Sequence, residues 1–274
     1  MSKFDPIDYT KMHGSGNDFI VIPAAAAPQD ISAFARGVCR RGTSIGADGV
    51  LVIGESSIAD FSWRYINADG SDGEMCGNGA MVGARYAVEM GIAPTECTFE
   101  TAVGLLQATV IGEKVTLRMP DAQFLGSDLR FAVLPDVTFD HFLIGVPHVV
   151  GWVDDADAVT DLHGIGRAIR HDSQLQPAGA NVNLVHKIDD HTIRMRTYER
   201  GVEAETLACG TGAVCSAIAS VRHGIVQQPV NVQVSSGMTL VTSWQASGDL
   251  YTQILLAGET RIVARGAILA DAMR

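Results

Sequence analysis

Short apolar runs separated by glycine turns fill most of the chain, and twice the period lengthens from that of a strand to that of a helix. "GNDFIVIP" (16–23), β-branched and aromatic behind a glycine turn, predicts a strand. "GADGVLVIG" (46–54) predicts a second, and "FSWRYINADGSDGEM" (61–75) a third that runs out into a polar loop. The loop delivers Cys76 to a helix that ends at Gly91, and strand patterns resume through "CTFETAVGLLQATVIGEKVTLRMP" (97–120). The same programme then recurs. "GVPHVVGWV" (145–153), "GANVNLVHKI" (179–188) and "TIRMRTYERGVEAETLA" (192–208) predict three strands, and Cys209 starts a second helix that stops at Gly224. "VNVQVSSGMTLVTSW" (230–244) and "DLYTQILLAGETRIVARGAIL" (249–269) complete the set. The pattern is weakest between Asp121 and Leu134, which predicts the boundary there.

The two helix starts are copies. "DGEMCGNGAMVGARYAVEMGI" (72–92) aligns with "ETLACGTGAVCSAIASVRHGI" (205–225), pairing Cys76 with Cys209, Gly77 with Gly210, Gly79 with Gly212 and Gly91 with Gly224 at one constant offset. The repeat implies two similar halves, 1–121 and 122–264, with 265–274 free to return to the first.

Composition narrows the function. At 274 residues each half can bury its own core, and 47% hydrophobic with 19% charged residues describes a globular chain. A net charge of −11, with no Lys/Arg cluster, argues against nucleic acid or an anionic membrane surface as partner. No run approaches a membrane span, and "MSKFDPIDYTKMHGSGNDF" lacks a signal-like apolar segment, so a cytoplasmic location is expected. Five cysteines without framework spacing predict reduced thiols.

A helix N-terminus offers unpaired N–H groups and the positive end of the macrodipole. A thiol there gains thiolate character, and a carboxylate docked on the following N–H groups is stabilised. Were the halves related by a pseudo-twofold axis, two such thiols would suit inversion at a carbon next to a carboxylate, one removing the α-proton and the other delivering one. Cys39, Cys97 and Cys215 read as small core hydrophobes. "GNGAMVG" spells a dinucleotide-like glycine string but follows a polar loop instead of an apolar strand. No C-x-x-C or H-E-x-x-H suggests a metal, and no lysine stands out as a pyridoxal anchor. A non-catalytic module that captures a carboxylate or phosphate on its helix ends is the rival of another class, though it has no need of a thiol at each helix start.

"KMHGSGNDFIVI", "GADGVLVI", "NADGSDGEMCGNGA", "ANVNLV" and "YERGVEAETLACGTGA" resemble, in order, the signatures of the diaminopimelate epimerase family over nearly the whole chain. The resemblance implies an α/β (α+β) fold of two pseudo-symmetric domains, each a curled mixed sheet around a central helix, with the active site between them. It implies an amino-acid substrate, no cofactor and no metal. Cys76 and Cys209 become the acid/base pair, and His148 and Glu199 the groups that tune them. Asn17, Asn67 and Asn181 match substrate-contacting amides, and Glu199 with Arg200 the pair that holds the amino and carboxylate groups. Gly77, Asn78, Gly210 and Thr211 match the helix starts that grip the α-carboxylate.

Three positions depart from the family pattern. Val146 stands where "GNPH" has asparagine, and where the first half of this chain has Asn17; Met81 stands where an arginine follows "CGNGA"; Ala204 replaces a glycine. Val146 and Met81 are therefore candidate specificity-altering residues. They keep open a racemase of another α-amino acid, such as histidine or one with an amide or ureido side chain, in secondary metabolism. Pairing of the chain with a second copy is also left open.

Overall fold

A computed structural model describes residues 5–73 and 75–273. The chain forms two compact units, residues 1–117 with 258–274 and residues 118–257. The sequence pattern predicts these divisions at 121/122 and 264/265. No loop marks the second division, because it falls inside a single strand.

Unit 1 runs β1 (Ile7–Gly14), β2 (Asn17–Pro23), α1 (Ile31–Val38), β3 (Gly49–Gly54), β4 (Phe61–Asn67), β5 (Asp72–Gly73), α2 (Gly77–Glu89), β6 (Glu96–Thr101), β7 (Gly104–Ile111) and β8 (Lys114–Arg118). Strand β2 pairs antiparallel with β1 and parallel with β3; β4 pairs antiparallel with β3 and parallel with β6. Unit 2 repeats the order as β9 (Ala122–Phe131), β10 (Leu134–Ile144), β11 (Val146–Trp152), α3 (Leu162–Arg170), β12 (Asn181–Asp189), β13 (Thr192–Glu199), β14 (Ala204–Thr206), α4 (Gly210–Arg222), β15 (Val230–Gln233), β16 (Thr239–Ser247) and β17 (Leu250–Ile268). The pairings repeat as well: β11 is antiparallel to β10 and parallel to β12, and β13 is antiparallel to β12 and parallel to β15. The start of β17 pairs with both β16 and β9, closing the unit 2 sheet on itself. The rest of β17, from Thr260 to Ile268, pairs with β1 in unit 1.

Each sheet wraps a helix. Helix α2 packs on β1, β2, β3, β4 and β7, and α4 on β10, β11, β12, β13, β15 and β16. Burial runs without a break from Asn78 to Ala87 and from Gly212 to Ser220, so neither helix has a wet face. Small residues make that possible: glycine and alanine in α2, and alanine, glycine and serine in α4 let strands approach from every side. Both helices end on a glycine in the left-handed region, Gly91 at φ +69 and Gly224 at φ +68. Helices α1 and α3 are amphipathic, capped by Asp30 and Asp161, and bury one stripe each.

The segment after Asp121, read as weak, is strand β9, paired along β10. Its pattern is blurred because half of it is exposed, Asp128 and Gly126 take positive φ, and the register slips three times.

Candidate active site

The two repeated cysteines occupy the same local geometry. Cys76, at φ −143 and ψ 112, N-caps α2, and its sulfur accepts the Gly79 N–H at 3.4 Å. Cys209, at φ −125 and ψ 112, N-caps α4, and its sulfur accepts the Gly212 N–H at 3.4 Å. An extended backbone at the cap turns each side chain back over its own first turn, a position normally held by serine or aspartate. A thiolate there meets the positive helix end directly. The other thiols are core groups: Cys39, Cys97 and Cys215 are buried, and burial pushes Cys39 up to about 12 and Cys97 up to about 11.

In unit 1 the cap is supported by amides and charge. Asn78, 3% exposed, donates from Nδ2 to Asn17 Oδ1 at 2.5 Å, and Asn17 Nδ2 donates to Asp48 Oδ2 at 3.1 Å. Asp48 and Asp18 share Arg41 at 2.8 and 2.5 Å, and Lys11 reaches Asp18 at 2.6 Å. Burial works to raise the Asp18 carboxyl, but Arg41 and Lys11 outweigh it and hold the group below its ordinary range. Asn67 closes the turn after β4 by donating to Ser71 Oγ at 3.0 Å. Met81 is fully buried inside α2 and can bear on the site only through helix packing.

Unit 2 gathers more of the named residues. His148 is wholly buried on β11, with Nε2 3.0 Å from Thr211 Oγ1 and 3.2 Å from Asn181 Nδ2. Thr211 Oγ1 is in turn 3.6 Å from Cys209 Sγ. Asn181 Oδ1 accepts the Arg200 backbone N–H at 2.7 Å, and the Arg200 guanidinium donates to Ala178 O at 3.2 Å. Burial drives His148 down to about 3, with the Arg200 charge adding to it, so the imidazole is neutral near pH 7. Glu199 ends β13, and burial raises its carboxyl while the Thr206 hydroxyl pulls the other way. Val146 opens β11 two residues before His148 and is half-buried.

Sequence reasoning missed two polar residues here. Asn183 is fully buried; its Nδ2 donates to Val149 O at 3.0 Å and lies 3.3 Å from His148 Nδ1. Thr197 donates to Asn183 Oδ1 at 2.8 Å. The signal was available in the repeat. Strand registers place Phe19, Leu51 and Tyr65 of unit 1 where unit 2 has His148, Asn183 and Thr197. One half thus backs its cysteine-capped helix with an apolar wall and the other with a polar one.

Solved structures share this architecture. A hydroxyproline epimerase from Agrobacterium vitis superposes with a TM-score of 0.69 at 15% identity, over 97% of this chain and 93% of that one. A probable proline racemase from Agrobacterium radiobacter K84 superposes with a TM-score of 0.70 at 16% identity, over 96% and 93%. At the sequence level the match is narrower. The diaminopimelate epimerase family model covers residues 9–125 and 142–263, and the chain belongs to that family. Diaminopimelate epimerase of Aquifex aeolicus (strain VF5) is 38% identical over 97% of this chain and 99% of its own length. That of Chlorobaculum tepidum is 39% identical over 94% and 99%. Among the described residues no helix is long and apolar enough to cross a membrane.

Proposed function

We propose that the protein interconverts LL- and meso-diaminopimelate by proton transfer between two thiols and one α-carbon, without pyridoxal phosphate or metal. The observation that carries the reading is the pair of cysteine N-caps, alike in backbone angles and in the N–H each sulfur accepts, in a chain of this family. One sulfur, as thiolate, takes the α-proton; the electron pair stays on carbon and spreads into the carboxylate; the other sulfur returns a proton to the opposite face. Helix N-termini stabilise the charge that develops on the carboxylate through the backbone donors of their first turns, at Gly77 and Asn78 and at Gly210 and Thr211, and the Asn78 side chain adds an amide beside those of α2. Arg200 supplies a cation for a carboxylate and Glu199 an anion for an ammonium. The reading places the enzyme in lysine biosynthesis in the cytoplasm.

In deuterated buffer at early times, product should carry α-deuterium while remaining substrate stays protiated. Cys76→Ala and Cys209→Ala should each abolish inversion with the fold retained. Appreciable turnover by either variant removes the paired-thiol assignment.

Val146 favours a second reading, a racemase of a different amino acid. It sits at the position where unit 1 carries Asn17, and it removes an amide two residues from His148. A lost hydrogen bond to a charged group costs roughly 1.5–3 kcal/mol, or about ten- to a hundredfold in affinity. For diaminopimelate, Val146→Asn should therefore lower KM. If the parent ignores diaminopimelate but racemises a mono-carboxylate amino acid, and Val146→Asn harms that activity, the second reading is right.

A further inference from the structure

One hydroxyl ties the thiol at the start of α4 to a buried imidazole. Thr211 Oγ1 lies 3.6 Å from Cys209 Sγ and 3.0 Å from His148 Nε2. Asn181 Nδ2 also reaches Nε2, at 3.2 Å. That amide is oriented from behind: its Oδ1 accepts the Arg200 N–H, so its NH2 must face the ring. At the opposite nitrogen Asn183 is fixed just as firmly, with Oδ1 accepting from Thr197 and Nδ2 donating to Val149 O. Amide N–H groups therefore face both ring nitrogens, and the one proton of the neutral ring opposes an amide on whichever nitrogen carries it. Asn181 and the Thr211 hydroxyl converge on Nε2, at 3.2 and 3.0 Å, and Asn183 alone approaches Nδ1, at 3.3 Å.

One lone pair on Nε2, shared between Thr211 and Asn181, can release either of them. We propose that the one ring proton sits on Nδ1, where it opposes a single amide, and that Thr211 is a hydroxyl rotor that serves both protonation states of Cys209. While Cys209 is a thiol, its S–H points at Thr211 Oγ1 and the Thr211 O–H donates to His148 Nε2. When the sulfur is a thiolate the O–H turns onto Sγ, and Asn181 keeps Nε2 satisfied. No proton enters or leaves His148; the proton that Cys209 gives or takes is the one exchanged with the α-carbon. A residue that must be base in one direction and acid in the other is thereby hydrogen-bonded in each. His148, Asn181, Asn183 and Thr197 are positioning residues for that hydroxyl. The other titratable or charged groups facing this chain are Arg200 after β13, His141 on β10 and Cys215 further along α4.

The proposal rests on Cys209 being a proton-transferring thiol, and its test needs no substrate. Alkylation by iodoacetamide is followed across pH at the Cys76 and Cys209 peptides separately, in the parent, Thr211→Ser, Thr211→Ala and Thr211→Val. Loss of the hydroxyl in the Ala and Val variants should slow Cys209 alkylation at neutral pH about ten- to a hundredfold. Its pH profile should move up by about one to two units, the Cys76 profile should stay in place, and Thr211→Ser should keep the parent profile. A Cys209 midpoint unmoved in both Ala and Val overturns the rotor, and so does an equal shift at both cysteines. A parent that fails to epimerise diaminopimelate, while its Ala and Val variants still show the shifted Cys209 midpoint, sinks the substrate reading and leaves the rotor standing.

Discussion

At the scale of single residues, His148 ties the site to stability. Burial and the Arg200 charge hold it at about 3 in the fold, against 6.5 for an ordinary histidine. As pH falls below about 6.5, the unfolded chain gains a proton that the folded chain refuses, so stability is lost through that window down to about 3. The slope is at most about 1.4 kcal/mol per pH unit. Glu199 works in the opposite sense. Its raised folded pKa means the folded carboxyl protonates before the unfolded one at 4.5, so falling pH returns some stability between those two values. The His148 contribution is isolated by comparing urea unfolding of the parent and His148→Gln from pH 7 to pH 4. The parent should lose more stability over that range, and parallel curves would mean that the imidazole does not stay neutral in the fold.

At the scale of elements, what could be read in the sequence follows from where burial is one-sided or complete. The repeated helix starts were legible because cysteine and glycine are rare enough at matching spacing to align by eye, and the strands before each helix have apolar runs bounded by glycine. Helices α1 and α3 were not read, although Asp30 and Asp161 cap them and α1 buries Ile31, Phe34, Ala35 and Val38 at helical spacing. Each is only about two turns long and lies among strand signals, where propensity is a weak guide. Polar residues in a buried strand are harder still. Asn183 sits within "NVNLV" and looks like any strand position until Thr197, on the next strand, is placed opposite it. Gly212 shows how tight that placement is: a Cβ there would stand 2.5 Å from Asn183 Oδ1 and 3.2 Å from Cys209 Sγ. The second glycine of the repeat is thus set by contact between helix and strand, a reason local pattern cannot supply. In unit 1 the equivalent Gly79 meets Trp63 instead, at 3.1 Å.

At the scale of the whole molecule, one strand serves both units. The stretch of β17 from Leu250 to Ala257 closes the unit 2 sheet between β16 and β9, while Thr260 to Ile268 pairs with all eight residues of β1. Arg85, buried on α2, also donates to the Thr260 carbonyl. A chain ended after Ala257 would keep every strand pair of unit 2. In unit 1 it would strip the outer partner from β1 and leave the Arg85 guanidinium short of an acceptor, a loss that costs more than an ordinary hydrogen bond because the group is buried and charged. It would also bare Ile7, Ile20 and Ile268's other neighbours in a cluster that packs α1 against the sheet. Hydrogen exchange on that truncated chain should therefore show lost protection in β1 and β2, with β11, β12 and β13 still protected. Uniform loss across both units would mean that they fold as one cooperative body, and uniform protection would mean that β1 does not depend on its pairing with β17.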